Sequence, residues 1–423
     1  MAEMVRPEIV SGEGVEVRQI ALLAGVILTA LASAQSSKTF VVTELPNPNA
    51  KTVQIHAMIP RPEGGAREEA AWRVLARALN RVSTKTYSNW ELFESEGRGT
   101  QPLRIEWLPD FIRLEIGTTP ANWQEKFEVV ISLLSEVKWE VEEPILQARA
   151  ELMAERKDPW GWAMDPFASA YDQVRPRDVV LMYQAAFQPG KARVFVNGPI
   201  EPGSAQGLLD SRVRWSELAA PPRPFFVSEV KRAESNGSGV STFELTPPAI
   251  RLSGPGSAAQ FLAAVALGAG KDCTLWRVLR EEKAWSYRTE MVFWPTKFGL
   301  EPRLLMLRGA REEELPMLFD MAEAIKGDLK NWDASTLARA KVMARSILTR
   351  PSPFACVYLH PSRPLGGSEA DAAAWQSYWG AVGEPPISIS RWLEMLDTVE
   401  WEEFQTQAKI MTDNLRPRMT SGR

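Results

Sequence analysis

Two side chains in the stretch LREEKAWSYR, Leu279–Arg288, have types and spacing that suit joint chemistry: the guanidinium of Arg280 and the phenol of Tyr287. One carries a fixed charge with planar donors, the other a single directional hydroxyl. Such a pair fits gripping a peptide backbone or stabilising a developing oxyanion. The plainer reading of Arg280 is a solvated helix-end arginine, and the rest of the chain has to decide between the two.

The elements that position the pair follow from apolar spacing. Phe261, Leu262, Val265, Ala266, Leu275, Val278 and Leu279 recur at helical intervals, so a long helix is expected within Ala258–Lys283, weakened by Gly268, Ala269 and Gly270. It hands over to a strand at Ser286–Trp294, with Lys283 in a last turn whose dipole favours a cation. Further strands are expected at Phe40–Leu45, Thr52–Ile59, Leu103–Trp107, Phe111–Ile116, Ala192–Val196, Phe225–Val230, Thr242–Leu252 and Pro302–Leu307. Helices are expected at Arg67–Leu79, Trp90–Glu96, Ala121–Val137, Glu142–Glu155, Asp178–Phe187, Glu312–Leu329 and Ala334–Thr349.

This plan repeats. GTTPANWQEKFEVVISLLSEVKWEVEEPILQARAEL, from Gly117, lies over GAREEELPMLFDMAEAIKGDLKNWDASTLARAKVM, from Gly309, at an offset of about 190 residues. The repeat predicts an α+β fold of two homologous α/β sandwich domains, with helices packed on mostly antiparallel sheets. The expected division is a leader at 1–34, a first domain at 35–212, a Pro-rich linker at 213–225 and a second domain at 226–423.

Composition narrows the function. The chain has 423 residues, 45% of them hydrophobic and 24% charged, with a net charge of −4. It has no basic cluster, which argues against nucleic acid as a partner. Trp72, Trp90, Trp107, Trp139 and Trp332, among sixteen tryptophans, fall in helix or strand patterns and read as packing residues. The two cysteines, Cys273 and Cys356, fit either one bridge or two buried thiols. His56 and His360 are far apart, and neither has a metal-ligand neighbour at helical spacing. Phosphate loops and nucleophile elbows are absent, and two isolated histidines argue against a Ser-His-Asp site.

At the N-terminus, Arg18 precedes an apolar run, Ile20–Leu31, that ends in Ala32-Ser33-Ala34, the pattern of a cleaved export signal. The run is too short for a stable membrane span. The acidic segment before it (Glu3, Glu8, Glu13, Glu16) is unlike a signal's start, so translation is expected to begin near Val17. The mature protein is expected to be periplasmic or extracellular.

Together these features resemble the insulinase/pitrilysin family of zinc metallopeptidases, which includes the processing peptidases. The residues that carry the resemblance are CTLWRVLREEKAWSYR in the second half, and REEAAWRVLARALNRVSTKTYSNWELFESEGRG and PILQARAELMAERKDPW in the first. In that family an inverted zincin helix carries H-x-x-E-H, and a glutamate on a later helix completes the zinc site. At the matching positions this chain has Trp72, Leu75 and Ala76, while Glu155 matches the third ligand and Ala148 stands where another acid is common. The resemblance therefore implies no zinc in this chain and no peptidase activity on its own. It also implies that Arg280 and Tyr287 bind peptide near the scissile carbonyl.

A chain that keeps this pair but lacks the metal residues looks like one half of a heterodimer whose homologous partner brings the zinc and whose substrate is a peptide. The alternative is a structural or scaffold pseudo-peptidase with no part in proteolysis. The Gly-Pro-Gly-Ser at 254–257 reads either as a substrate-handling glycine loop or as a turn before a helix.

Overall fold

The computed structural model describes residues 40–93, 101–108, 110–155, 168–188, 190–212, 241–245, 247–285, 288–308, 315–350, 355–357, 365–414 and 417–421. The expected leader, the linker, the strand at 225–230, Tyr287 and His360 lie outside the described residues, as do the side chains of Glu155 and Cys356.

Among the described residues, two five-stranded sheets organise the chain. The first contains β1 (Val41–Pro46), β2 (Val53–Pro60), β3 (Arg104–Trp107), β4 (Phe111–Thr118) and β5 (Arg193–Gly198), in the order β1-β5-β2-β4-β3. The second contains β6 (Ser241–Leu245), β7 (Arg288–Thr296), β8 (Gly299–Arg308), β9 (Ala355–Val357) and β10 (Pro417–Ser421), in the order β10-β6-β8-β7-β9. Each sheet has one parallel edge strand, β1 beside β5 and β9 beside β7. The remaining four strands are antiparallel and share one order, β5-β2-β4-β3 and β10-β6-β8-β7. The expected α+β architecture of two like lobes is therefore the one the chain adopts.

The first lobe carries α1 (Ala66–Ala78), α2 (Asn89–Phe93), α3 (Trp123–Ser135), α4 (Glu143–Glu155), α5 (Pro176–Ala186) and α6 (Ser204–Arg212). In the second lobe, α7 (Ser257–Gly268) and a π-helix (Trp276–Glu282) precede β7. They are joined in the lobe by α8 (Leu315–Leu329), α9 (Ala334–Thr349), α10 (Glu369–Ala381), α11 (Ile389–Asp397) and α12 (Trp401–Asp413).

Three sequence expectations need correction. The strand expected over Thr242–Leu252 stops at Leu245, because Pro247 and Pro248 have no N–H to give a ladder; beyond them Ile250 makes an isolated bridge to Leu300. The helix expected over Ala258–Lys283 is two helices, separated by a turn with Gly270 at φ 83°. Trp90 is not a packing residue, since it is 72% exposed. The cysteine alternatives also resolve in part, because Cys273 is a free, buried thiol whose pKa burial raises to about 12.

Strand alternation gives the first sheet two unlike faces. Val53, Ile55, Ala57 and Ile59 of β2, with Ile112, Leu114 and Ile116 of β4, pack into the first core with α1. The opposite face carries Gln54, His56, Arg113 and Glu115, all buried. Arg113 there pairs with Glu106, and with Glu115 at 3.2 Å.

Helix α10 of the second lobe lies across β2 and β5. Asn197 Nδ2 donates to Gln376 Oε1, and Arg193 Nη1 donates to Gly380 O at 2.7 Å. Gly380 is required by the close approach: a Cβ there would lie 2.4 Å from the Phe195 ring. At the start of α10 the Glu369 carboxylate accepts from Lys51 N (3.1 Å), Thr52 N (3.2 Å) and the Thr52 hydroxyl.

The hairpin tips of the two sheets meet as well. Asp110, in the β3–β4 turn, accepts from Lys297 N of the β7–β8 turn at 2.9 Å. Trp107 packs on Trp294 with ring centroids 6.3 Å apart, and Tyr378 Oη donates to Thr296 O at 2.8 Å.

Candidate functional site

Helix α1 carries Trp72, Leu75 and Ala76, the positions that the sequence resemblance sets against an inverted zincin motif. Trp72 and Leu75 are 0% exposed and Ala76 is 2% exposed, all within the first core together with Ala148 and Leu152 of α4. The helix packs on α4, α5 and β3. Its polar stripe faces other residues: Arg67 Nε donates to Asp178 Oδ2 at 3.2 Å, Glu69 pairs with Arg61 at 2.9 Å, and Arg73 lies 4.7 Å from the Trp107 ring centroid. Burial raises the pKa of Glu69 against the opposing charge of Arg61, and Asp110 adds repulsion.

These residues do not fit a zinc ion. An indole offers only a donor N–H, leucine and alanine offer no ligand atom, and a catalytic zinc needs three protein ligands and an open position. His56 sits on β2, opposite Glu115 and Phe195, away from α1 in sequence and element. Among the described residues, no group of three or more His, Cys, Asp or Glu side chains is placed to hold a metal. Trp72 Nε1 has no hydrogen-bond partner among the described residues.

Arg280 is in a different setting. It lies half-buried on the π-helix, with its guanidinium carbon 3.9 Å from the centroid of the Trp276 ring. Trp276 is itself 8% exposed, and its Nε1 donates to Glu281 Oε1 at 3.1 Å. Asp328, buried at the end of α8, anchors the start of the segment: it pairs with Arg277 and accepts from Thr274 Oγ1 at 2.8 Å. At the far end, Lys283 N donates to Val278 O (3.1 Å) and Trp285 N to Leu279 O (2.7 Å), around Ala284 at φ 51°.

The sequence reading singled out Arg280 but not Trp276, on which it stacks, nor Glu281 and Asp328, which bond Trp276 and the Thr274–Arg277 turn. The signal was present in Trp276-Glu281 and Arg277-Glu282, two pairs five residues apart, a spacing that a 3.6-residue period does not bring together.

The Gly254–Gly256 stretch forms the turn that enters α7. Gly256 has φ 70°, and Ser257 N donates to Gly254 O at 3.1 Å. The turn is fastened by Glu384, which accepts from Ser253 N and Ser253 Oγ, both at 2.9 Å, and from Arg251 Nε at 3.0 Å.

No protein-family model matches the sequence, and no curated protein matches it. Solved structures do. A peptidase M16 inactive domain from Pseudomonas fluorescens superposes with a TM-score of 0.64 at 14% identity, covering 91% of this chain and 96% of that one. A protease from Helicobacter pylori gives 0.61 at 16% identity, covering 88% and 94%. The first half of the periplasmic protease PqqL from Escherichia coli gives 0.54 at 13% identity, covering 92% and 90%. Over nearly its whole length, then, this chain has the two-lobed fold of the M16 peptidase domains.

Proposed function

We propose that this chain is the zinc-free, peptide-binding subunit of a heterodimeric zinc metalloendopeptidase. Its partner is a homologous chain that carries H-x-x-E-H and the third glutamate, and the two enclose the peptide. One contrast supports the reading most. Core residues fill the metal positions Trp72, Leu75 and Ala76, while Arg280 is kept half-buried and stacked on a well-anchored helix. A fold neighbour described as an inactive M16 domain also supports a non-catalytic role.

In the complex Arg280 and Tyr287 reach the peptide near the scissile carbonyl. Preorganised donors of this kind are worth about 3–4 kcal/mol in a water-poor site. Residues 1–34 serve as export signal and leader, 213–225 as the linker between domains at 35–212 and 226–423, and the setting is periplasmic or extracellular. A periplasmic protease half with the same fold supports that setting.

Purification of the chain from its native source, followed by zinc analysis and peptidase assay, tests the proposal. A zinc-bearing relative should co-purify, and Arg280→Ala or Tyr287→Phe should each lower the activity of the complex by about tenfold or more without blocking assembly. Full activity with both substitutions removes the assigned role. A second reading, a structural or scaffold pseudo-peptidase, is favoured by the engagement of Arg280 with Trp276 inside the chain itself. Self-association without a zinc-bearing relative would establish that reading instead.

A further inference from the structure

The π-helix brings together residues that an α-helix holds apart. Closure by i→i+5 bonds gives more than four residues per turn, so positions four and five ahead share one side. Trp276 accordingly has Arg280 against its ring at 3.9 Å and Glu281 on its indole N–H at 3.1 Å. Arg277 and Glu282 repeat the five-residue pairing at 3.6 Å. Lys271 Nζ is farther from the Trp276 ring, at 5.9 Å.

We propose that Trp276, clamped by Glu281, is the positioning residue for Arg280, an inference that rests on Arg280 contacting bound peptide. The indole attracts the guanidinium through its face and thereby fixes the plane of the fork. Glu281 fixes the indole in turn; an α register would keep Arg280, four residues ahead, beside Trp276 but would turn Glu281, five ahead, off the indole N–H.

The test has two arms. In the isolated full chain, the Arg280 Nε–H resonance should be displaced by the indole ring current, should stay displaced in Trp276→Phe and should move in Trp276→Leu. A resonance unmoved by Trp276→Leu overturns the stacking role whether or not a partner is known.

In the purified complex, the probe is an internally quenched octapeptide that the wild type cleaves. Trp276→Leu should lower kcat/KM by about tenfold, Trp276→Phe by about threefold, and Trp276→Leu with Arg280→Ala no further than Arg280→Ala alone. Melting temperatures should be alike for the Phe and Leu variants. Additive losses, or full activity in Trp276→Leu beside a defective Arg280→Ala, overturn the proposal. Full activity in Arg280→Ala refutes the peptide-binding reading itself.

Discussion

Trp72→Phe and Trp72→Ala separate two opposing contributions at a fully buried position of α1. The indole is 0% exposed, and its N–H has no partner among the described residues. Truncation to Ala removes about 200 Å² of buried ring surface, about 5 kcal/mol at about 25 cal/mol per Å². Measured costs of such truncations centre on about 3–5 kcal/mol. Phe gives up only about 40 Å², or about 1 kcal/mol, and removes an unpaired buried donor worth about 1–3 kcal/mol. Trp72→Phe should therefore lie between wild type and about 2 kcal/mol above it, with Trp72→Ala about 3–5 kcal/mol below it. Urea unfolding of the full chain, compared through midpoint and slope, reads both values. A Phe variant as damaged as the Ala variant would mean the N–H is bonded, and a nearly neutral Ala variant would mean that α1 does not pack as a core helix.

Ala284 holds φ 51° at the π-helix exit, a conformation that costs a non-glycine residue about 1 kcal/mol. Ala284→Gly should stabilise the chain by about 0.5 kcal/mol after glycine's extra unfolded freedom is deducted, and Ala284→Val should lower the melting temperature; a lower melting temperature in the Gly variant contradicts this. Gly380→Ala drives a methyl into the Phe195 ring, and a loss of about 1–3 kcal/mol is expected; an unchanged midpoint would show that α10 can shift. The hydrogen bond from the Thr52 hydroxyl, aided by the amides of Lys51 and Thr52, lowers the pKa of Glu369 against the effect of burial. A lowered folded-state pKa gives stability that is present above the unfolded carboxylate value of about 4.3 and lost as pH falls through the folded value. Protection of the amides at residues 51–53, relative to their intrinsic exchange at each pH, should therefore fall on acidification below about pH 4 in the wild type, with a flatter profile in Glu369→Gln. Equal profiles would place the acid sensitivity elsewhere.

Legibility varied with the physics of each element. Ala334–Thr349 was read to the residue, because its buried positions Leu337, Ala340, Ala344, Ile347 and Leu348 keep a helical stripe and Asp333 caps its start. Helix α10 gave no such stripe. It is wedged between the second core and the first sheet, so Ala370, Ala373, Ala374, Trp375, Ser377, Tyr378 and Trp379 are all buried and the amphipathic signal vanishes. The candidate site divides the same way. Arg280 was singled out from its neighbours, but the π register that brings Glu281 onto the Trp276 indole comes from hydrogen bonding at the helix end, which apolar periodicity does not encode. On α1 the residue types Trp72, Leu75 and Ala76 carry no ligand atom suited to zinc, and that much is legible without a structure.

The meeting of the hairpin tips has a further consequence. The β3–β4 and β7–β8 turns join corresponding strands of the two lobes, so their contact sets like elements of one chain against each other. Covalent linkage raises the effective concentration of such surfaces to about millimolar, and contacts too weak to hold separate molecules then suffice. Linkage also releases the interface from self-complementarity. Asp110 finds its donor in the backbone of Lys297 and not in a matching carboxylate. A substitution at either tip is therefore felt once, not twice, and each lobe is free to specialise.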